Sequence, residues 1–94
     1  MKFEDIELVN NEAIHNFELM VDGHRSFIDY QVRGDKIYLI HTEVPEALQG
    51  RGVAEALVDK AFTYIEGKGQ KVVPLCAYVQ IFLKKHPEWN RIVA

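Results

Sequence analysis

Gly50 and Gly52 flank Arg51 in the run Gln49-Gly50-Arg51-Gly52-Val53-Ala54, and residues of these types at this spacing suit the binding of an anion. Glycines lack side chains, so the backbone N–H groups around them approach a ligand closely. If a helix begins in this run, its unpaired first-turn N–H groups and its dipole favour a negative group by roughly 0.3 to 1 kcal/mol per exposed charge, and by more when partly buried. Arg51 adds a charge-assisted contact to a phosphate oxygen. A pyrophosphate fits such a loop. The same two glycines are equally compatible with a plain strand-to-helix turn. Other anion loops fit worse: a dinucleotide fingerprint needs a third glycine and a later acidic ribose ligand, and a nucleotide-hydrolysing P-loop needs Gly-Lys followed by Ser or Thr.

Three further places carry groups able to move a proton or form a bond. Cys76, the single cysteine, has a thiol with an ordinary pKa of about 8.5, able to act as nucleophile or acid, although a lone cysteine after an apolar strand also serves as a small buried hydrophobe. His41 and Glu43 are separated by one residue, which on a strand puts both on one face, as a general base or as a solvated pair. Lys84, Lys85 and His86 gather at the end of a helical pattern, where basic groups cap carbonyls. No His or Cys companion stands near Cys76 at zinc-site spacing, so no metal is expected.

The elements that position these groups follow from periodicity. Phe17, Leu19 and Val21 alternate along a strand from Ile14 to Val21. Asp22-Gly23 signals a hairpin into a second strand with Phe27, Ile28, Tyr30 and Val32, and Gly34-Asp35 signals another. Ile37 to Ile40 is a denser apolar run leading into His41-Thr42-Glu43-Val44, which predicts a central strand covered on both faces. After Pro45 the period becomes helical: Ala47, Leu48, Val53, Ala54, Leu57, Val58, Ala61, Phe62 and Ile65 give about four turns ending at Gly67-Lys68-Gly69. Lys71 to Leu75 is a strand reached through that helix, hence parallel to the central strand. Tyr78 to Lys85 predicts a second helix that stops before His86-Pro87. Trp89 and Phe82 read as core anchors of the chain end. The fold class is α+β, a mixed and mostly antiparallel sheet with one parallel βαβ pair and two helices.

Composition narrows the function. The 94 residues suit a single domain, and 48% hydrophobic with 27% charged residues is the balance of an ordinary folded protein. A formal charge of −3 offers no global attraction for nucleic acid or anionic membrane, so an anionic ligand must be held locally. One cysteine fits a reducing compartment. The segment Met1 to Val9 carries four charged residues and no apolar core of signal-peptide length, and a cytoplasmic location is expected.

Gln49, Gly52 and Ala54 fulfil the pattern Gln/Arg-x-x-Gly-x-Gly/Ala of the GNAT acetyltransferases, at the start of the long helix after a central strand. The chain further resembles the small stand-alone GNAT-like proteins through His41-Thr42-Glu43-Val44-Pro45, Cys76-Ala77-Tyr78 and His86-Pro87-Glu88-Trp89, so the likeness covers nearly the whole sequence. It implies a minimal GNAT fold, one domain over 1–94, splayed where acetyl-CoA enters between Val44 and the helix. It also implies a pantetheine arm lined by Glu43, Val44 and Pro45 and a pyrophosphate on Gln49 to Ala54. A main-chain N–H near Val44 would polarise the thioester, by the logic of an oxyanion hole. Cys76 would stand at the acetyl group and Tyr78 would protonate the leaving thiolate, although a core aromatic with a wet hydroxyl explains Tyr78 as well. Lys85 and His86 would meet the adenosine 3′-phosphate.

Relative to full-length GNAT enzymes the chain lacks an early helical pair and the closing strands, which build the acceptor pocket. The acceptor must then enter an open cleft, a homodimer interface or a site shared with a partner. The expected function is acetyl transfer from acetyl-CoA to an unidentified amine by a monomer or homodimer. The alternatives are a non-catalytic acyl-CoA binder or adaptor, and a plain interaction domain.

Overall fold

Two tight turns and one long helix organise the chain. The computed structural model describes residues 3–94. Strands β1 (Val9–Asn11), β2 (Asn16–Val21), β3 (His24–Arg33) and β4 (Lys36–Glu43) are followed by helix α1 (Val53–Gly67), strand β5 (Lys71–Pro74) and helix α2 (Ala77–Lys85). Asp22 and Gly23, at φ of 50° and 78°, close the β2–β3 hairpin, as expected for a two-residue turn with both central residues left-handed. The five strands form one sheet in chain order, antiparallel through β4, with β5 parallel to β4. The parallel pair is what a helical crossover produces.

Alternation sends Phe17, Leu19 and Val21 of β2, Ile28 and Tyr30 of β3, Ile37 and Leu39 of β4 and Val72 of β5 to one face, where all are buried. Helix α1 lays Val53, Ala56, Leu57, Val58, Ala61, Phe62 and Ile65 against that face, the stripe expected of an amphipathic helix. Helix α2 packs beside it over β4 and β5. The Phe62 ring stands edge-on to Phe82 and to Trp89, with centroids 5.4 Å away in each case, so the residues read as anchors are anchors. A 3₁₀ turn over Pro87–Ile92 brings the chain end back, and Val93 bridges to Val72 along the free side of β5.

Four boundaries differ from the sequence reading, each for a local reason. Strand β1 has three residues and no apolar alternation, so nothing marked it. Strand β2 begins at Asn16, because His15 takes φ 51° and offers its carbonyl to the Tyr30 N–H. Ala47 and Leu48 belong to a separate 3₁₀ turn, Glu46–Leu48, and α1 starts only at Val53. The run Ile37 to Ile40 is covered on one face, not two. The β3–β4 register slips between Asp29 and Tyr30, so Ile40 has no cross-strand partner and stands 42% exposed, while Tyr38 is half-buried. The apolar density of that run reflects a bulge and an amphipathic tyrosine rather than a second helical layer. Among the described residues no helix is long and apolar enough to cross a membrane.

Candidate functional site

The glycine loop takes a shape that only its sequence allows cheaply. Gly50 and Gly52 have φ of 78° and 81°, the left-handed region in which side chains with a Cβ are strained. A Cβ at either position would meet nothing within 4 Å, so the surface in front of the loop is open. Helix α1 begins immediately afterwards, and its first backbone bond runs from Ala56 N–H to Gly52 C=O. The six consecutive N–H groups from Gly50 to Glu55 donate to no acceptor among the described residues. Together with the positive end of α1 they form a cradle for an anion. The donors therefore fit a pyrophosphate.

The loop borders a cleft of about 250 Å³, with Gln49, Gly50 and Gly52 to Glu55 on one side and Val44 and Tyr78 facing them. The Gln49 amide donates to the Val44 carbonyl at 3.3 Å, tying the end of β4 to the loop. Val44 N–H has no backbone acceptor among the described residues. Arg51 turns away from this cleft to pair with Asp22 on the β2–β3 hairpin at 2.8 Å. Both members are largely exposed, and pairs of that kind contribute little, so a phosphate competes readily for the guanidinium.

The parallel pair ends at Leu39 and Pro74, and β4 continues through Glu43 without β5 beside it. The two strands part at the Leu39 carbonyl, which accepts from both Leu75 N–H (3.0 Å) and Cys76 N–H (2.9 Å). Cys76 caps α2 at this notch, 8% exposed, with its sulfur 3.4 Å from the Thr42 hydroxyl. Burial pushes the thiol up. Hydrogen bonds from the Thr42 side chain and from backbone N–H groups of Val79, Tyr78 and Thr42 outweigh that, and the thiol lies below its ordinary value. The thiolate is thus favoured by the start of a helix. Tyr78, two residues on, is shifted the other way, first by burial and then by the Glu55 carboxylate, so its phenol keeps its proton more firmly than usual.

Not every expected residue joins this cluster. His41 and Glu43 lie side by side, Nε2 to Oε1 3.5 Å, as their spacing predicts. They pair across the sheet with Asp29 and Phe27, on the face away from the helices, whereas Thr42 pairs with Ile28 on the helix face. Pro45 caps the 3₁₀ turn between β4 and the loop. His86 sits between Glu55 (3.6 Å) and Glu88 (3.7 Å), its ring 4.5 Å from that of Phe82, while Lys85 is exposed at the end of α2. Leu48 and Glu55 line the cleft and Thr42 meets Cys76, roles that residue type alone does not announce. Glu55 shows no pattern of its own, but Thr42 was legible as the residue between His41 and Glu43 and hence on the opposite face. No group of three or more His, Cys, Asp or Glu side chains among the described residues is placed to hold a metal ion.

A larger cleft of about 420 Å³ opens at the other end of α1, beside Tyr30, Tyr64 and Lys68. Its polar groups satisfy one another, since Asn10 donates to the Tyr64 hydroxyl at 3.1 Å and accepts from that of Tyr30. It holds none of the glycine-loop donors.

Comparison with known proteins agrees with this geometry. A family profile described as GCN5-related N-acetyl-transferase matches residues 16–92. Protein NATD1 of Bos taurus is 36% identical over 85 residues, covering 87% of this chain and 75% of its own. Protein NATD1 of Xenopus tropicalis is 31% identical over 85 residues, covering 87% and 78%. Among solved structures, the NMR structure of a GCN5-like protein from Staphylococcus aureus superposes with a TM-score of 0.71 at 21% identity, covering 97% of this chain and 90% of the other, which extends the likeness to the fold. The matched segment runs from the first residue of β2 to the last turn before the C-terminus and includes the loop, the notch and Cys76, and the chain belongs to the GCN5-related N-acetyltransferase family.

Proposed function

We propose that this protein binds acetyl-CoA in the cleft between Val44 and α1 and transfers the acetyl group to an amine, with Cys76 at the reacting end. The observation that carries the reading is the run of six N–H groups from Gly50 to Glu55, unbonded among the described residues, on a cleft that Val44 and Tyr78 also line. Those donors hold the pyrophosphate, and Arg51 supplements them by leaving its exposed partner Asp22. The pantetheine arm extends past Val44, whose free N–H polarises the thioester carbonyl. Lys85 and His86, at the C-terminal end of α2, would meet the 3′-phosphate.

Bound acetyl-CoA supplies an activated acyl group. The depressed thiol of Cys76 favours the nucleophilic role over that of acid. Its thiolate forms the bond to the acetyl carbon as the bond to the CoA sulfur breaks, and CoA departs as the thiolate, with the phenol that Tyr78 keeps protonated donating a hydrogen bond to it. The amine then attacks the acetyl-cysteine, regenerates the Cys76 thiolate and releases its surplus proton, which neutralises the CoA thiolate through solvent. His41 and Glu43 face the other side of the sheet and receive no step in this scheme.

Intact-mass measurement after incubation with acetyl-CoA tests it. The wild type should gain one acetyl group, and Cys76→Ser should gain none while still binding the ligand. Binding with no adduct and no release of CoA to any primary amine would reduce the protein to a silent acyl-CoA binder.

A further inference from the structure

Both helices lie on one face of the sheet, and among the described residues no helix covers the other. Along it stand Met20 (46% exposed), Ile40 (42%) and Leu75 (57%), with half-buried Phe27, Tyr38 and Val73 between them. Exposed apolar groups gathered on one sheet face mark an interaction surface rather than the scattered hydrophobics of any protein surface. One end of this face is basic. Arg33, Lys36 and Lys71 line up across β3, β4 and β5, and none has a carboxylate within 4.0 Å among the described residues, although the Lys71 ammonium donates to the Arg91 carbonyl at 3.2 Å. At the other end, Glu18 is already paired with Arg25 at 2.7 Å, and Glu43, beside Phe27 and 3.5 Å from His41, is the exposed carboxylate.

We infer that this face pairs with the same face of a second copy of the chain. A twofold axis parallel to the sheets, midway between the two copies and perpendicular to the strands, keeps each strand over its own counterpart and reverses its direction. Lys36 then faces the partner copy's acidic end of β4 at Glu43, Tyr38 faces the level of Ile40 and His41, and Arg33 faces the ring of Phe27. The Lys36–Glu43 match is made twice, with the apolar residues between. Arg33 already lies over the Tyr38 ring (5.7 Å) and Arg25 over the Phe27 ring (4.3 Å), so the aromatic groups of this face accept guanidinium stacking. Five strands about 4.8 Å apart and about 20 Å long give a flat area on the order of 500 Å² per copy. That is near the lower limit of specific interfaces, and a reversible dimer is expected. The glycine loop and Cys76 remain open on the far side, so pairing and acetyl transfer are separable.

Sedimentation equilibrium over a concentration series tests the pairing directly. The wild type should show a monomer–dimer equilibrium with a dissociation constant on the order of tens of micromolar. Lys36→Glu, which sets carboxylates against carboxylates, and Ile40→Glu, which places a charge in the apolar centre, should each weaken it by at least about tenfold. Circular dichroism checks that both variants stay folded. Mixing Lys36→Glu with Glu43→Lys, or combining them in one chain, restores the complementary pairs and should restore the dimer. A chain that stays monomeric at millimolar concentration leaves the face to a different protein and overturns the inference. A dimer indifferent to these substitutions places the interface elsewhere and overturns it equally.

Discussion

Cys76 is the nucleophile proposed for the site, and its environment makes a direct prediction. Because hydrogen bonds to sulfur outweigh burial, the rate of alkylation by iodoacetamide should rise with pH through a midpoint below the ordinary thiol value of about 8.5. Thr42→Val removes one of those bonds and should move the midpoint upward. An unchanged midpoint would mean that the Thr42 hydroxyl does not hold the thiolate. The sign for stability follows from a depressed folded pKa: this contribution is fully present above the unfolded thiol's value and is lost as pH falls through the folded one. Gly52 supports a second prediction. With φ of 81° and nothing within 4 Å of a would-be Cβ, Gly52→Ala is strained but not crowded. It should cost about 1 to 2 kcal/mol of stability, read from chemical denaturation. Gly52→Val adds a branched side chain where a pyrophosphate approaches and should abolish CoA affinity in a protein that still folds. Unchanged affinity would detach the loop from the ligand. Both residues were legible in the sequence by type. What was not legible is the partner: Thr42 meets Cys76 only because β4 and β5 part beside it, and Glu55 meets Tyr78 only because α1 and α2 converge.

Among the elements, α1 does two tasks, building the core with one face and the anion cradle with its first turn. Phe62 sits where α1, α2 and the C-terminal turn meet. Phe62→Ala should destabilise the protein by about 3 to 5 kcal/mol, because three elements cannot all collapse into the space it leaves. A loss under about 1 kcal/mol in urea unfolding would show that this junction repacks. Element types were readable because their periods are long: four turns of α1, the alternation of β2 and the Asp22-Gly23 hairpin. The failures share a cause, since each depends on contacts distant in sequence. The start of α1 is set by where the left-handed Gly52 ends the loop, the start of β2 by the bond from Tyr30 to His15, and the pairing of β1 by the edge that β2 offers. The bulge at Tyr30 shows the cost of reading density alone, because it turned an apolar run into an expectation of two-sided burial that the open face does not meet.

At the scale of the whole molecule, function divides by face and by end. The helix face holds the core, the notch and the glycine loop, and the opposite face carries exposed apolar groups and the basic row of Arg33, Lys36 and Lys71, with no helix over it among the described residues. The proposed transfer, with the acceptor entering an open cleft, predicts a broad range of accepted amines when tested as CoA release across a panel of primary amines. Steep preference for one amine would argue instead that a partner builds the missing wall. The central claim is simpler than the acceptor, and calorimetric titration of the protein with acetyl-CoA tests it most directly. Saturable binding with one site per chain, lost in Gly52→Val, is the result the account predicts; a folded wild-type protein that takes up no acetyl-CoA at millimolar ligand would contradict it.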